Sequence, residues 1–159
     1  MGLYDAARLF GFEVESSDNL RFIPLAVRFN LDRFGTRISL DQWQQLPFED
    51  RALLARFPIE EEAGLEKNFD LALEEMMKTH ANAAPEKIER DPEPVWAHAD
   101  AVPEAVIRQS SLCGVSAPSL DRWGALDRFQ RYALAKLSRN TDKVNHDFLP
   151  AMREFGLAE

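Results

Sequence analysis

IPLAVRFNLDRFGTRISLDQWQQLPFEDRALLARF, residues Ile23 to Phe57, returns later in the chain as VPEAVIRQSSLCGVSAPSLDRWGALDRFQRYALAKL, residues Val102 to Leu137. One residue is inserted after the glycine. With that shift Pro24, Ala26, Val27, Gly35, Ser39, Leu40, Asp41, Trp43, Leu46, Arg51, Leu54 and Ala55 meet an identical residue 79 or 80 positions on. Both copies carry helix punctuation at the same places. Pro24 and Pro103 suit a helix's first turn, where a missing N–H costs nothing. Gly35 and Gly114 suit a left-handed stop. Ser39 and Ser119 suit an N-cap, with an aspartate two residues on to favour the helix N-terminus. The repeat predicts an all-α protein made of two similar helical units, about 23–57 and 102–137, sharing one core.

Outside the two copies the helix signal continues. Residues Ile59 to His80 place Leu65, Phe69, Ala72, Leu73, Met76 and Met77 on one face, with Glu60, Glu61 and Glu62 expected in the first helical turn. The two methionines continue the apolar stripe and read as core, and the glutamates as a solvated helix start. A last helix is expected from about Phe148 to Phe155, stopped by Gly156. Residues 12–22 alternate apolar and acidic before a polar turn, as a short strand or an extended arm would. Residues 81–101 hold Pro85, Pro92 and Pro94 and read as a proline-rich connection between the units, pinned to the helical body by Trp96. The expected architecture is a single domain, 1–159, of six or seven helices, with Trp43 and Trp123 buried at equivalent positions as core markers and Trp96 as a third.

Composition narrows the function classes. At 159 residues the chain is long enough to bury roughly 70% of its unfolded surface in one core. Net charge is −8, which argues against a general nucleic-acid binder, because neutralising phosphates needs a basic surface. The first residues, MGLYDAARLF, lack the basic start and apolar run of a secretory signal. Gly2 lacks a Ser or Thr at position 6, where Ala6 stands, so myristoylation is not expected. No stretch approaches the ~20 apolar residues of a membrane span. The single cysteine, Cys113, suits a reducing compartment, and the protein is expected to be cytoplasmic. It aligns with Phe34 of the first copy, an apolar helix position, and reads as a structural thiol rather than a nucleophile.

The two copies differ in charge. Residues 119–139 carry five basic against two acidic side chains, net +3, whereas residues 39–59 carry two against three, net −1. On a wheel of about 100° per residue, Phe129, Ala133 and Leu137 gather on one side. Arg128, Arg131 and Arg139 gather on the other. Such arginines either face water away from the core or form an electropositive face for an anionic partner. Ser138 to Pro150 (SRNTDKVNHDFLP) has no counterpart in the first copy, and places His146 near that face. Arg128, Arg131, Arg139 and His146 are the candidate partner-binding residues.

Catalytic signatures are missing: there is no phosphate-cradling glycine loop, dinucleotide fingerprint, HExxH, paired CxxC or GxSxG. His80, His98 and His146 are scattered, and no metal set or cofactor is expected. His146 and Asp147 could form an acid/base pair only if the fold brings a third group to them, and Arg139 completes the candidate centre.

The order FEVESSDNLRFIP, LDRFGTRISLDQW, AKLSR and FLPAMREFGL, from about Phe12 to Leu157, resembles the bacterial nitrate reductase-associated proteins. One departure is Phe22, where members of that family often carry Cys. Members are typically encoded beside nitrate reductase and molybdopterin-cofactor genes. The resemblance therefore implies a place in nitrate assimilation, with nitrate reductase or molybdopterin-cofactor maturation proteins as partners. It supplies no catalytic residues. The expected role is a non-catalytic accessory protein acting by protein binding; the alternative is an enzyme of unknown reaction built on His146, Asp147 and Arg139.

Overall fold

The computed structural model describes residues 8–14 and 18–159. Among these the chain forms eight α-helices, one more than the upper expectation, and a single two-residue antiparallel ladder. It divides into two compact units, residues 1–91 and 92–159. The division falls inside the proline-rich stretch 81–101, so that its first half belongs with one unit and its second half with the other. The reading of one domain over 1–159 stays an expectation.

In the first unit α1 (Leu25–Arg33), α2 (Leu40–Gln45), α3 (Phe48–Ala55) and α4 (Leu65–His80) enclose the core. Ser39 caps α2 through a reciprocal pair: its hydroxyl accepts the Gln42 amide while the Gln42 side chain accepts the Ser39 amide. Trp43, Leu54, Phe69, Leu73 and Met77 lie fully inside, together with Leu20, Val27 and Leu46. The Phe69 ring meets Phe57 edge-on at 5.4 Å and Phe34 tilted at 5.6 Å. These are favourable aromatic geometries.

Two expectations for this unit are corrected. Residues 12–22 form neither strand nor extended arm where they are described; short 3-10 turns occupy Gly11–Glu13 and Asp18–Leu20. The long helix begins at Leu65, not Ile59, which leaves Glu60, Glu61 and Glu62 exposed ahead of it. The reason is local. Pro58 ends the preceding segment, and Gly64, the N-cap, has φ 79°, a left-handed conformation that no continuing helix contains.

Gly35 also has a positive φ of 68° and does more than end α1. A Cβ there would lie 2.8 Å from Arg90 Cγ and 2.9 Å from the Ile88 carbonyl oxygen. This close approach lets the strand β1 (Thr36–Arg37) pair with β2 (Glu86–Lys87), Thr36 opposite Lys87. The Ile88 amide donates to the Gly35 carbonyl at 2.9 Å. The sequence reading contained no such ladder, since two residues per strand leave no periodicity to detect.

The second unit also holds four α-helices, without counterparts of β1 and β2 among its elements: α5 (Glu104–Leu112), α6 (Leu120–Ala125), α7 (Arg128–Leu137) and α8 (Phe148–Glu154). Ser119 caps α6, and Asp127 caps α7 in a reciprocal pair with Gln130. Its buried side chains include Val106, Trp123, Phe129, Tyr132, Leu134, Phe148 and Met152.

Each unit is tied to the segment that leads into it by an indole and a guanidinium. The Trp43 indole N–H donates to the Leu20 carbonyl at 2.8 Å, and Arg51 donates to the same oxygen at 3.1 Å. Trp123 donates to the His98 carbonyl at 2.9 Å, and Arg131 to the Trp96 carbonyl at 2.8 Å. Both tryptophans are fully buried, so these bonds satisfy polar atoms that water cannot reach.

Candidate functional site

The features singled out in the sequence of the second unit fall into two groups, one at the start of α7 and one in the loop after it. At the start of α7 the Trp96 ring lies edge-on to Tyr132, centroids 5.9 Å apart at 82°. The Arg128 guanidinium sits over the Trp96 ring at 5.2 Å from its centroid. An arginine stacked on an indole is attracted by the ring's negative face, and here the stack fixes an exposed cation. Trp96 itself is half-buried, with Val95 beside it half exposed. The ring contacts Tyr132 of α7 without joining the buried core, so Trp96 is not a core residue like Trp43 and Trp123.

Arg131 corrects the wheel. Expected beside Arg128 in water, it is only 6% exposed. Its Nε donates to the Trp96 carbonyl and its second guanidinium nitrogen to the Leu126 carbonyl at 2.5 Å. Burial holds its pKa below the ordinary arginine value; the neighbouring Arg128 charge acts in the same direction, and Asp127 opposes it. The physical reason is that two carbonyls near the first turn of α7 need donors, and a long guanidinium satisfies both while its stem packs against the core. Its counterpart in the repeat, Arg51, grips a leading segment in the same manner, so the identity at this position reflects structure.

Beyond α7 the chain enters the loop 139–147. Arg139 and His146 are exposed, and Asp147 is partly exposed as the N-cap of α8, its amide donating to the Asn145 side-chain oxygen at 2.8 Å. Among the described hydrogen bonds and ion pairs, none joins the side chains of His146, Asp147 and Arg139 to one another. His80 instead faces Asp50 at 3.3 Å, and His98 serves through its backbone carbonyl. Among the described residues no group of three His, Cys, Asp or Glu side chains is placed to hold a metal ion. No helix among them is long and apolar enough to cross a membrane.

Gln109 organises the loop, and the sequence reading passed over it. Fully buried on α5, its amide nitrogen donates to the carbonyls of Asn140 (3.0 Å) and Lys143 (3.1 Å). Its oxygen accepts the Asn145 amide at 2.8 Å and the Cys113 thiol at 3.7 Å. Both donors and both acceptor positions are used. Cys113 is thereby a half-buried structural thiol, and burial raises its pKa. In the first unit the aligned residue is Asn30. Also fully buried, it donates to the Pro58 carbonyl at 3.2 Å and accepts from Arg33 at 2.8 Å. The signal was present as an amide at the same place on both apolar faces, where a chain of aliphatic residues would be expected.

An open depression of about 540 Å³ lies on the first unit at the start of α4, lined by Glu62, Leu65, Glu66, Asp70 and Leu71 among others. Arg90 donates to Glu66 and Lys87 pairs with Asp70 at 3.4 Å, so two of its acidic side chains are engaged by the chain's own cations.

An all-α fold with a minimal ladder, an arginine-on-tryptophan platform and a tightly held surface loop describes a small helical protein whose distinctive chemistry lies on its surface. The chain belongs to the conserved nitrate reductase-associated protein family, whose sequence model matches residues 9–155. No curated protein and no solved structure matches it.

Proposed function

We propose that this protein is a non-catalytic, cytoplasmic accessory factor of nitrate assimilation that acts by binding nitrate reductase or the proteins that mature its molybdenum cofactor. Membership of a nitrate reductase-associated family over residues 9–155 carries the pathway. The Trp96–Arg128 stack carries the mode of action. Arginine and tryptophan are the residues most enriched where protein interfaces concentrate their energy, and ones already held in place lose little freedom on binding. Arg139 and His146 extend the surface beyond α7. Arg131 is withdrawn from the contacting set and supports it from below.

The test is association of the purified full chain with nitrate reductase and, separately, with cofactor-maturation proteins. Arg128→Glu together with Arg139→Glu should abolish the association while leaving Tm little changed, because both side chains are exposed and an exposed stack of a cation on an indole contributes only about 0.5–1 kcal/mol. Raising the salt should weaken binding of the unaltered protein, since exposed charges are screened beyond about 8 Å at physiological ionic strength. Undiminished association of a folded double variant would remove this face from the interface.

A further inference from the structure

Residues 84–91, the last of the first unit, lie on its surface without joining its core. None of them is buried: Pro85 and Ile88 are partly exposed, and the other six are exposed. The turn ahead of them is fixed. Ala81 and Ala83 pack against the core, and Asn82 between them takes a left-handed φ of 49°, which asparagine tolerates better than most residues. From that turn the chain runs back over β1 and is held there by polar bonds. Two residues of β2 enter the ladder, and the Ile88 amide adds one bond to the Gly35 carbonyl. The Lys87 ammonium donates to the Thr36 hydroxyl at 3.3 Å and pairs with Asp70 at 3.4 Å. Arg90 pairs with Glu66.

Beneath the segment lie Gly35 and Thr36, both buried. Neither is a large apolar residue, so uncovering them forfeits little hydrophobic burial. Closure also carries a cost. Asp70 Oδ1 is buried and, among the described residues, has no hydrogen-bond partner.

We propose that residues 84–91 are a latch, a strap that opens as a unit while the helices of the first unit stay folded. The Lys87–Asp70 and Arg90–Glu66 pairs hold it shut, and ionic strength sets how often it opens. Opening frees the Gly35 carbonyl and bares the edge of β1 that β2 now covers. Local opening of this kind belongs to segments with few buried apolar contacts and exposed backbone bonds, and the strap has both features. Three of the four paired side chains are about half exposed. Salt therefore screens the pairs and weakens the closure. One exposed pair is worth at most about fivefold in such an equilibrium, so two shift it by up to about twenty-five-fold.

The experiment is native-state hydrogen exchange on the full chain, comparing the Ile88 amide with that of Leu73 in the core of α4. Ile88 should be about a hundredfold or more less protected, since it exchanges through the strap and Leu73 through wider unfolding. Raising NaCl from about 0.05 to about 0.5 M should lower Ile88 protection severalfold and leave Leu73 nearly unchanged. Lys87→Gln with Arg90→Gln removes both pairs at exposed positions and keeps a Cγ at position 90 against Gly35. It should lower Ile88 protection by about three- to twenty-five-fold and abolish the salt effect. Glu66→Gln, made on α4 and outside the strap, should give part of the same loss.

Ile88 as well protected as Leu73 would show that the strap opens only with the whole unit, and overturns the latch. A double variant with unchanged Ile88 protection, or with the salt dependence of the unaltered protein, overturns it too. So does a double variant in which Leu73 loses as much protection as Ile88. The strap belongs to the first unit and the partner-binding residues to the second, so the latch and the partner assignment can fail separately.

Discussion

The guanidinium of Arg131 lies 2.8 Å from the carbonyl oxygen of Trp96, thirty-five residues earlier in the chain. That bond turns an arginine of the basic face into part of the scaffold. It also separates two effects that the sequence had merged. Arg131→Ala should cost about 2–3 kcal/mol, because hydrogen bonds from a charged group are worth more than neutral ones and the acceptors are left without them. Arg128→Ala should change stability by about 0.5 kcal/mol or a little more, as exposed substitutions do. Chemical denaturation of the two variants separates them, and equal losses would contradict the assignment.

Replacing Trp43 or Trp123 by Ala should cost about 3–5 kcal/mol, as for other large buried side chains. Replacement by Phe isolates the indole N–H. Trp43→Phe leaves the Leu20 carbonyl its bond from Arg51, whereas Trp123→Phe removes the indole bond to the His98 carbonyl. The second should therefore be the more costly, with a loss of about 1–2 kcal/mol against about 1 kcal/mol for the first. Urea titrations with matched slopes would measure the difference.

Gly35 and Gly114 occupy matching places and have similar φ values, 68° and 73°, but different surroundings. Nothing lies within 4 Å of a Cβ at Gly114, so Gly114→Ala should cost about 1–2 kcal/mol, the left-handed conformation alone. At Gly35 the Ile88 carbonyl would stand 2.9 Å away, and backbone cannot step aside as a side-chain tip does. Gly35→Ala should cost clearly more and loosen the ladder of Thr36 and Lys87. Thermal melts and amide exchange at Ile88 would detect both effects.

Cys113 provides a pH-dependent outcome. Burial raises its pKa, so the folded protein keeps the proton at pH values where an unfolded thiol loses it. Its contribution to stability is full below the unfolded thiol's pKa and is lost as pH rises through the folded one. Stability should therefore fall in the alkaline range, and Cys113→Ser should flatten that part of the curve. Alkylation of the native thiol at neutral pH should be slower than that of a cysteine peptide.

Most of the helical frame was legible because it rests on local chemistry. Ser39, Ser119, Pro24, Pro103, Gly35 and Gly114 mark boundaries through bonds or torsions settled within a few residues of themselves. The start of α4 was misplaced because the acidic run at 60–62 and the left-handed Gly64 give opposite local signals, and the backbone torsion wins. The placement of Arg131 was illegible for a different reason. A wheel assigns a direction from the helix axis, but a guanidinium on a long stem can fold back toward carbonyls contributed by residues 96 and 126. Gln109 was concealed similarly, since three of its four partners lie more than thirty residues away. Neither can be read from periodicity, although the aligned pairs Arg51 with Arg131 and Asn30 with Gln109 held the clue.

The bonds from Trp43 and Trp123 to the segments ahead of their helices bear on where the chain tolerates interruption. Sequence similarity starts at Ile23 and Val102, yet the material each unit closes upon starts earlier, at Leu20 in one case and at Trp96 and His98 in the other. Extra residues introduced between 98 and 103 would stretch the tether between a tryptophan's acceptor and the helix that follows it. The same residues introduced at 91–92, where the two compact units divide, would part no such pair. For tagging, splitting or fusing this protein, the natural seam is therefore Asp91–Pro92 and not the edge of the repeated text.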